Sequence, residues 1–301
     1  MNDVITETHI PVLLTEAIDA LHVSPGAWYI DATFGRGGHT RSLLEKGAHV
    51  LALDVDQTAI EFGQQFFAEE IQQGKLLLIR ENFAQLETLV QKLQDEQKIG
   101  EVSGILFDFG TSSNQLKDAQ RGFSFSDNGE LDMRMDDRLG VKAKDLLALL
   151  SEKQLTRIFT ELGGEHEAWR IARAIVVKRQ VKAIQTVAEL VELIEKTKRE
   201  RRGHLHPATK VFQALRIAVN DELQSIELAL PQAEKILQKG GRIVTISFHE
   251  GEDRIVKHML KKWEETRLGE IMTKKALLAT EEEVTKNNRA RSAKLRVFRK
   301  N

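Results

Sequence analysis

Apolar residues in the first third of the chain fall into short β-rich runs separated by stretches of helical periodicity. The runs are AWYIDA (Ala27 to Ala32), HVLALD (His49 to Asp54), KLLLIR (Lys75 to Arg80) and GILFD (Gly104 to Asp108). Between them the spacing predicts helices near Thr40 to Lys46, from Gln57 and from Ala84. A βαβαβαβ order of this kind predicts a parallel sheet joined by right-handed crossovers, with ligands outside the carboxyl ends of the strands. After GILFD the pattern becomes turn-rich (Phe109 to Asp137), then helical from about Ala143 to Lys198, and no further strand is expected before GRIVTISF (Gly241 to Phe248). With the terminal KLRVFRK, that run completes the sheet. The expected fold class is therefore α/β: a Rossmann-like sheet domain made of residues 1–113 and 207–301, interrupted by an all-helical insertion over residues 114–206. A helix is expected to open at His206-Pro207, since proline suits a first helical turn and Val211, Leu215, Ala218 and Leu223 recur at helical spacing. Its polar side carries Gln213, Arg216 and Asn220.

Composition narrows the function classes. The 301 residues are 41% hydrophobic and 30% charged, enough for an ordinary buried core. Absence of cysteine removes disulfides, thiolate metal sites and cysteine nucleophiles together, which agrees with a reducing, cytoplasmic setting. No uncharged apolar run approaches the ~20 residues of a membrane span, and no basic-then-apolar leader opens the chain, so a soluble protein without a membrane role is expected. The net charge of -1 argues against a wholly basic coat, yet three positive regions stand out. They are Arg170 to Lys182, Lys196 to His204, and Lys286 to Lys300, the last holding Arg289, Arg291, Lys294, Arg296 and Arg299. Such regions suit either solvated faces or a polyanionic partner.

The candidate chemistry gathers at strand ends. Gly35, Gly37 and Gly38 follow AWYIDA directly and precede a helix, so the backbone there is expected to pass close to a ligand without side chains in the way. An acid ending the second strand, Asp54, suits a ribose diol, and a dinucleotide satisfies that spacing as well. Two details favour S-adenosylmethionine. Thr40 stands where a dinucleotide loop wants its third glycine, and the Asp31 carboxylate would repel a pyrophosphate but attract an ammonium and a sulfonium. Phe83, just past the third strand, is placed to offer an aromatic edge to adenine or to join the core. Asp108 ends the fourth strand, ahead of a hydroxyl-rich turn with Ser112 and Ser113. An exocyclic amine has a delocalised lone pair, so its methylation needs acceptors that take its protons and turn that lone pair outward. Asp108, Ser112 and Ser113 are the catalytic candidates on that ground. Arg216, Asn220, His249, Arg289 and Arg291 are candidate substrate or RNA contacts, although His249 equally suits a helix cap. No metal-ligand spacing is present, and no metal is required.

Taken together, seven stretches resemble the RsmH/MraW family of ribosomal RNA small-subunit methyltransferases. They are HIPVLLTEAIDAL, DATFGRGGHT, SSNQLKDAQRGFSF with LDMRMD, IARAIV, HPATKVFQALRIAVNDEL, GGRIVTISFHEGEDRIVK and NNRARSAKLRV. The resemblance implies a class I S-adenosylmethionine-dependent methyltransferase sheet interrupted by a helical, substrate-recognising domain. It also implies methylation of the N4 amine of a cytidine in the decoding region of 16S rRNA, within the small ribosomal subunit. By motif it places cofactor contacts on Gly37, Gly38, His39, Asp54, Phe83, Asp108 and Gln115, to which charge reasoning adds Asp31. The sequence departs from the family where FGTSS replaces LGVSS, EGED replaces SLED and NNRARS replaces NPRARS. Two other functions fit the residues less well: a small-molecule methyltransferase, and an RNA-binding assembly factor without catalysis. The chain's oligomeric state, monomer or homodimer, is left open.

Overall fold

In the computed structural model, residues 11–111, 121–125, 129–198 and 206–301 are described. The four predicted runs form β1 (Trp28–Asp31), β2 (His49–Asp54), β3 (Leu76–Arg80) and β4 (Val102–Asp108). GRIVTISF lies in β5 (Leu237–Ser247) and KLRVFRK is β8 (Lys294–Lys300); two short strands, β6 (Gly269–Ile271) and β7 (Leu277–Leu278), stand between them. The sheet runs β3-β2-β1-β4-β5-β8-β6, with β7 beside β8. Pairing is parallel from β3 to β5 and antiparallel where β8 lies between β5 and β6. Strand addition reverses at β1, which has β2 on one side and β4 on the other, and a crevice opens at such a reversal outside the carboxyl ends.

Both faces of the sheet are covered, which is why its strands read as continuous apolar runs. Leu51, Leu53, Ile105, Phe107 and Ile243 pack on one face with Leu230, Val256, Trp263 and Phe298. Val50, Ala52, Leu106, Val244 and Ile246 pack on the other with Leu13, Leu43 and Phe67. The helix Leu14–Leu21, which the periodicity analysis does not single out, supplies Ala17, Ile18 and Leu21 to that second face.

Contacts divide the chain into two compact units, with boundaries after Gly110 and after Glu222. The sequence places the end of the insertion at residue 206 and returns the following helix to the sheet domain. In the structure that helix, Thr209–Asn220, belongs with the inserted unit. Its apolar face, Val211, Phe212, Ala214 and Leu215, is buried among Leu155, Phe159, Ile171, Leu190 and Ile194 of the same unit. The other described helices of this unit are Ala143–Leu149, Glu152–Glu161, Ala168–Val181 and Val187–Thr197, and an isolated bridge joins Glu130 to Thr186. Ser151 with Gln154, and Thr186 with Glu189, form reciprocal capping boxes that start two of these helices. Among the described residues no helix is long and apolar enough to cross a membrane.

The terminal basic run is largely neutralised by carboxylates distant in sequence. Arg296 and Lys294 reach Asp253 at 2.7 and 3.4 Å, Arg299 reaches Glu270 at 3.0 Å, and Lys300 reaches Glu234 at 3.2 Å. Arg296 and Asp253 fasten β8 to the helix Glu250–Glu265, both side chains being nearly buried. Burial pushes the Asp253 carboxyl up, but the Arg296 hydrogen bond and charge, with Lys294, hold it below its ordinary value. A carboxyl held low in the folded chain stabilises the fold above its ordinary range, and that contribution is lost as pH falls through the folded value. Replacing Arg296 by Met is expected to cost about 3 kcal/mol at neutral pH by leaving Asp253 underpaired. Urea denaturation should show that difference shrinking below about pH 4, near the ordinary aspartate value. A loss independent of pH would exclude this account.

Candidate functional site

The loop from Asp31 to Thr40 is built around a carboxylate that water does not reach. Asp31 is 0% exposed; its Oδ2 accepts from Thr40 Oγ1 at 2.7 Å and its Oδ1 from the Thr33 amide at 3.2 Å. Burial raises its pKa, opposed by those hydrogen bonds. The neighbouring groups extend the same network. Thr33 Oγ1 accepts from the Asp108 amide at 2.7 Å, tying the loop to the end of β4, and the Gly35 amide donates to Asp54 Oδ2 at 2.8 Å, tying it to the end of β2. The sequence expects Asp31 to face a cationic ligand, whereas in the structure its carboxylate is sealed inside the loop by Thr40 and Thr33.

Asp54 and Asp108 are the two acids left at the strand ends. Burial pushes Asp54 up to about 6; amide bonds from Asp56 and Gly35 pull it down, and the charges of Asp56 and Asp31 push it further up. Burial pushes Asp108 up to about 8, with the Arg289 charge lowering it and those of Asp31 and Glu252 raising it. Oδ1 of Asp108 is buried and has no hydrogen-bond partner among the described residues. Its Oδ2 lies 3.9 Å from Nδ1 of His39, which is buried at the start of the helix Gly38–Glu45. Carboxyls raised in this way, one of them with an orphaned oxygen, suit a cationic ligand. An S-adenosylmethionine carries two cationic groups and a ribose diol, and so fits this donor set.

The glycines divide into two kinds. Gly35, in the left-handed region at φ 53°, has only Thr33 O, at 4.0 Å, near the position of an added Cβ. Its surroundings are open, as close approach of a ligand requires. Gly37 and Gly38 differ from the expectation. A Cβ on Gly37 would lie 2.7 Å from the rings of Phe34 and Phe67, and one on Gly38 would lie 2.2 Å from Pro11. Protein therefore fills the space at these two positions.

Phe83 opens a short 3-10 turn, Phe83–Gln85, capped by Asn82, and meets Phe107 and Phe109 edge-on with centroids 5.8 and 6.1 Å apart. It is half-buried, so part of the ring belongs to the core and part is accessible. Ser112, Ser113 and Gln115 lie outside the described residues.

Three candidate substrate contacts are committed internally. His249 caps the helix Glu250–Glu265: its Nδ1 accepts from the amides of Gly251 at 3.1 Å and Glu252 at 3.4 Å, and its Nε2 lies 3.2 Å from Glu252 Oε1. An Nδ1 that accepts leaves the proton on Nε2, so neither nitrogen is available as a base. Glu252 completes the cap by accepting from the Phe248 and His249 amides. These are the retained Glu-Asp residues of EGED, since Glu252 caps and Asp253 holds Arg296. Within the inserted unit Arg216 forms a two-pronged bond with Glu222 at 2.8 and 2.9 Å. Asn220 accepts from the Met135 amide and donates to Met133 O and Arg216 O, pinning the LDMRMD stretch. Arg289 lies over Phe248 at 5.9 Å, and its charge acts on Asp108. The sequence offers it as an RNA contact; in the structure its charge also reaches the strand ends. Arg291 is exposed on the same turn, Asn288–Ser292. That turn accounts for NNRARS: Asn287 caps it, and Asn288 occupies a first helical position, where proline is also at home. Thr33 is not singled out by the sequence because its partner, the Asp108 amide, ends another strand, whereas Glu252 carries a local signal, the capping box it forms three residues after His249.

The glycine geometry makes a prediction that needs no ligand. Gly38→Ala is expected to lose roughly 1–3 kcal/mol by overpacking. Gly37→Ala should lose more, having positive φ as well, whereas Gly35→Ala should lose only the ~1–2 kcal/mol of its left-handed backbone. Thermal unfolding of the ligand-free chains measures this, and a Gly38→Ala chain as stable as the parent would refute the packing role.

The chain matches the MraW methylase family over residues 6–301. Among curated proteins it is 43% identical to the ribosomal RNA small subunit methyltransferase H of Bradyrhizobium diazoefficiens, with 96% of this chain and 90% of that protein covered. It is 44% identical to the protein of the same name from Brucella ovis, with 96% and 86% covered. A solved rRNA methylase from Streptococcus thermophilus aligns with 98% of this chain and 99% of its own, at 10% identity and a TM-score of 0.46. By the family match and by these two close relatives, the chain belongs to the MraW methylase family.

Proposed function

We propose that the chain methylates the N4 amine of a cytidine in the decoding region of 16S rRNA, within the small ribosomal subunit, with S-adenosylmethionine as donor. Support comes from the names of the relatives at 43% and 44% identity, and from the motif resemblance, which alone carries the choice of nucleotide and atom. From the structure, the observation that carries the donor is the buried, unpartnered Oδ1 of Asp108 beside the charges of Asp31 and Glu252. The sheet unit takes the methyltransferase role in this reading and the inserted helices take substrate recognition.

When bound, S-adenosylmethionine supplies an electrophilic methyl group on a sulfonium. Asp54 would hold the ribose diol, Phe83 would offer its accessible edge to the adenine, and Gly35 would allow backbone approach. An ionised Asp108 accepts an N–H of the exocyclic amine, which turns the nitrogen lone pair out of conjugation. Arg289 favours that ionised form, and His39 stands beside it.

Incubation of labelled donor with small subunits lacking the modification should place label on one cytidine; folded protein that transfers none would sink the reading. Asp54→Ala should weaken donor binding by roughly ten- to a hundred-fold, the value of a hydrogen bond to a charged group. For pH, a carboxyl raised in the free protein is protonated below its pKa, and a cationic ligand must displace that proton. Donor affinity, followed by calorimetry, should therefore rise between about pH 6 and pH 8, the values of Asp54 and Asp108. Asp108→Asn should remove the upper part of the rise, and Arg289→Ala should move it to higher pH. A flat profile in the parent chain would contradict the assignment of these acids.

A further inference from the structure

The helix Ala168–Val181 of the inserted unit presents large apolar side chains to solvent along one line. Trp169 is 52% exposed, Val177 57% and Val181 88%. With Arg173 between them, these residues recur every four positions, so they follow one slowly turning face, about 18 Å long from first to last. The buried side of the same helix, Ile171, Ala172 and Ile175, satisfies the core without them.

Charge along this face is unevenly spent. Arg170 is held by Glu167 at 2.7 Å and stands over the Trp169 ring at 5.6 Å. Arg179 donates to Leu147 O and Leu150 O, and Lys182 pairs with Glu189 at 2.7 Å. Glu192 is taken by Lys196 and also feels the charge of Lys178, which stands nine positions from Trp169 on the opposite side of the helix. Arg173 is left without a carboxylate partner among the described residues. The face thus sets an indole and two valines around the unpaired Arg173, while the adjoining acids are already neutralised. A flat indole beside cations suits a chain that offers stackable bases and phosphates together.

We infer that this face binds a single-stranded segment of the substrate RNA: Trp169, backed by Arg170, stacks on an unpaired base, and Arg173 takes a flanking phosphate. The inference rests on the RNA reading of the function and names where, apart from the donor site, the RNA is held. The chain has three tryptophans. Trp263 is buried and Trp28 is stacked on His49, so Trp169 is the one whose emission a ligand on this face would quench.

Titrating the full chain with oligouridylate should quench tryptophan emission, and the quenching should vanish in Trp169→Phe while most of the affinity remains. Trp169→Ala should weaken binding by about ten-fold, within the range for loss of one stacked base. Arg173→Gln should flatten the dependence of log affinity on log salt by about 0.7, and Lys178→Gln, on the opposite side of the helix, should leave it unchanged. Donor binding should be unchanged in all four variants, and equal thermal midpoints would exclude a folding defect at these exposed positions. Undiminished RNA affinity in Trp169→Ala, or quenching that survives in Trp169→Phe, would overturn the inference. A dimer dispersed by Trp169→Ala would overturn it too, by assigning the face to a second copy. If the parent chain binds neither oligouridylate nor small subunits, the proposed function fails with it; if the parent chain methylates subunits and Trp169→Ala does so with unchanged KM, only this inference fails.

Discussion

The donor-side architecture hangs on one buried carboxylate. Asp31 sits where β1 stops, and β1 is flanked in parallel by β2 and β4, so whatever follows it must span both neighbours. A carboxylate out of contact with water is costly unless hydrogen-bonded. Thr40 and Thr33 meet that demand, and in doing so they set the loop's path: Thr40 brings the start of a helix back to the strand end, and Thr33 turns its hydroxyl toward β4. Asp54 then receives the Gly35 amide. Moving any one of these groups strands a buried partner of another, so three strand ends behave as a single unit.

The cost of this arrangement is visible in the acids it gathers. Like charges held close together in partial burial resist ionisation, and each is least comfortable where the others are charged. Such a cluster stores an unmet preference for positive charge. Arg289 answers part of that preference from the far end of the chain, on the turn just before β8 pairs with β5.

Much of this was legible in the sequence, and what was not shares a physical cause. The five parallel strands could be read because burial on both faces leaves a near-continuous apolar run. β6 and β7, at three and two residues, have no pattern of their own and exist by pairing with β8. The helix Thr209–Asn220 was visible as a helix, but an apolar stripe does not say which core it enters. The glycines were recognised, yet the neighbours that require two of them, Phe67 and Pro11, are remote in sequence. The basic tail was read as free charge because its carboxylate partners lie in other elements. His249 and Asn220 were weighed as substrate contacts, and only their hydrogen bonds show them to be fasteners.

The mould around Gly37 and Gly38 has a further consequence. Because aromatic rings and a proline press the loop into shape, its conformational entropy is surrendered when the chain folds and not when a ligand arrives. A loop ordered in advance binds without an ordering penalty and has no collapsed form to recover from after release. Under the proposed function, successive turnovers would exchange one nucleoside for the next against an unchanged wall.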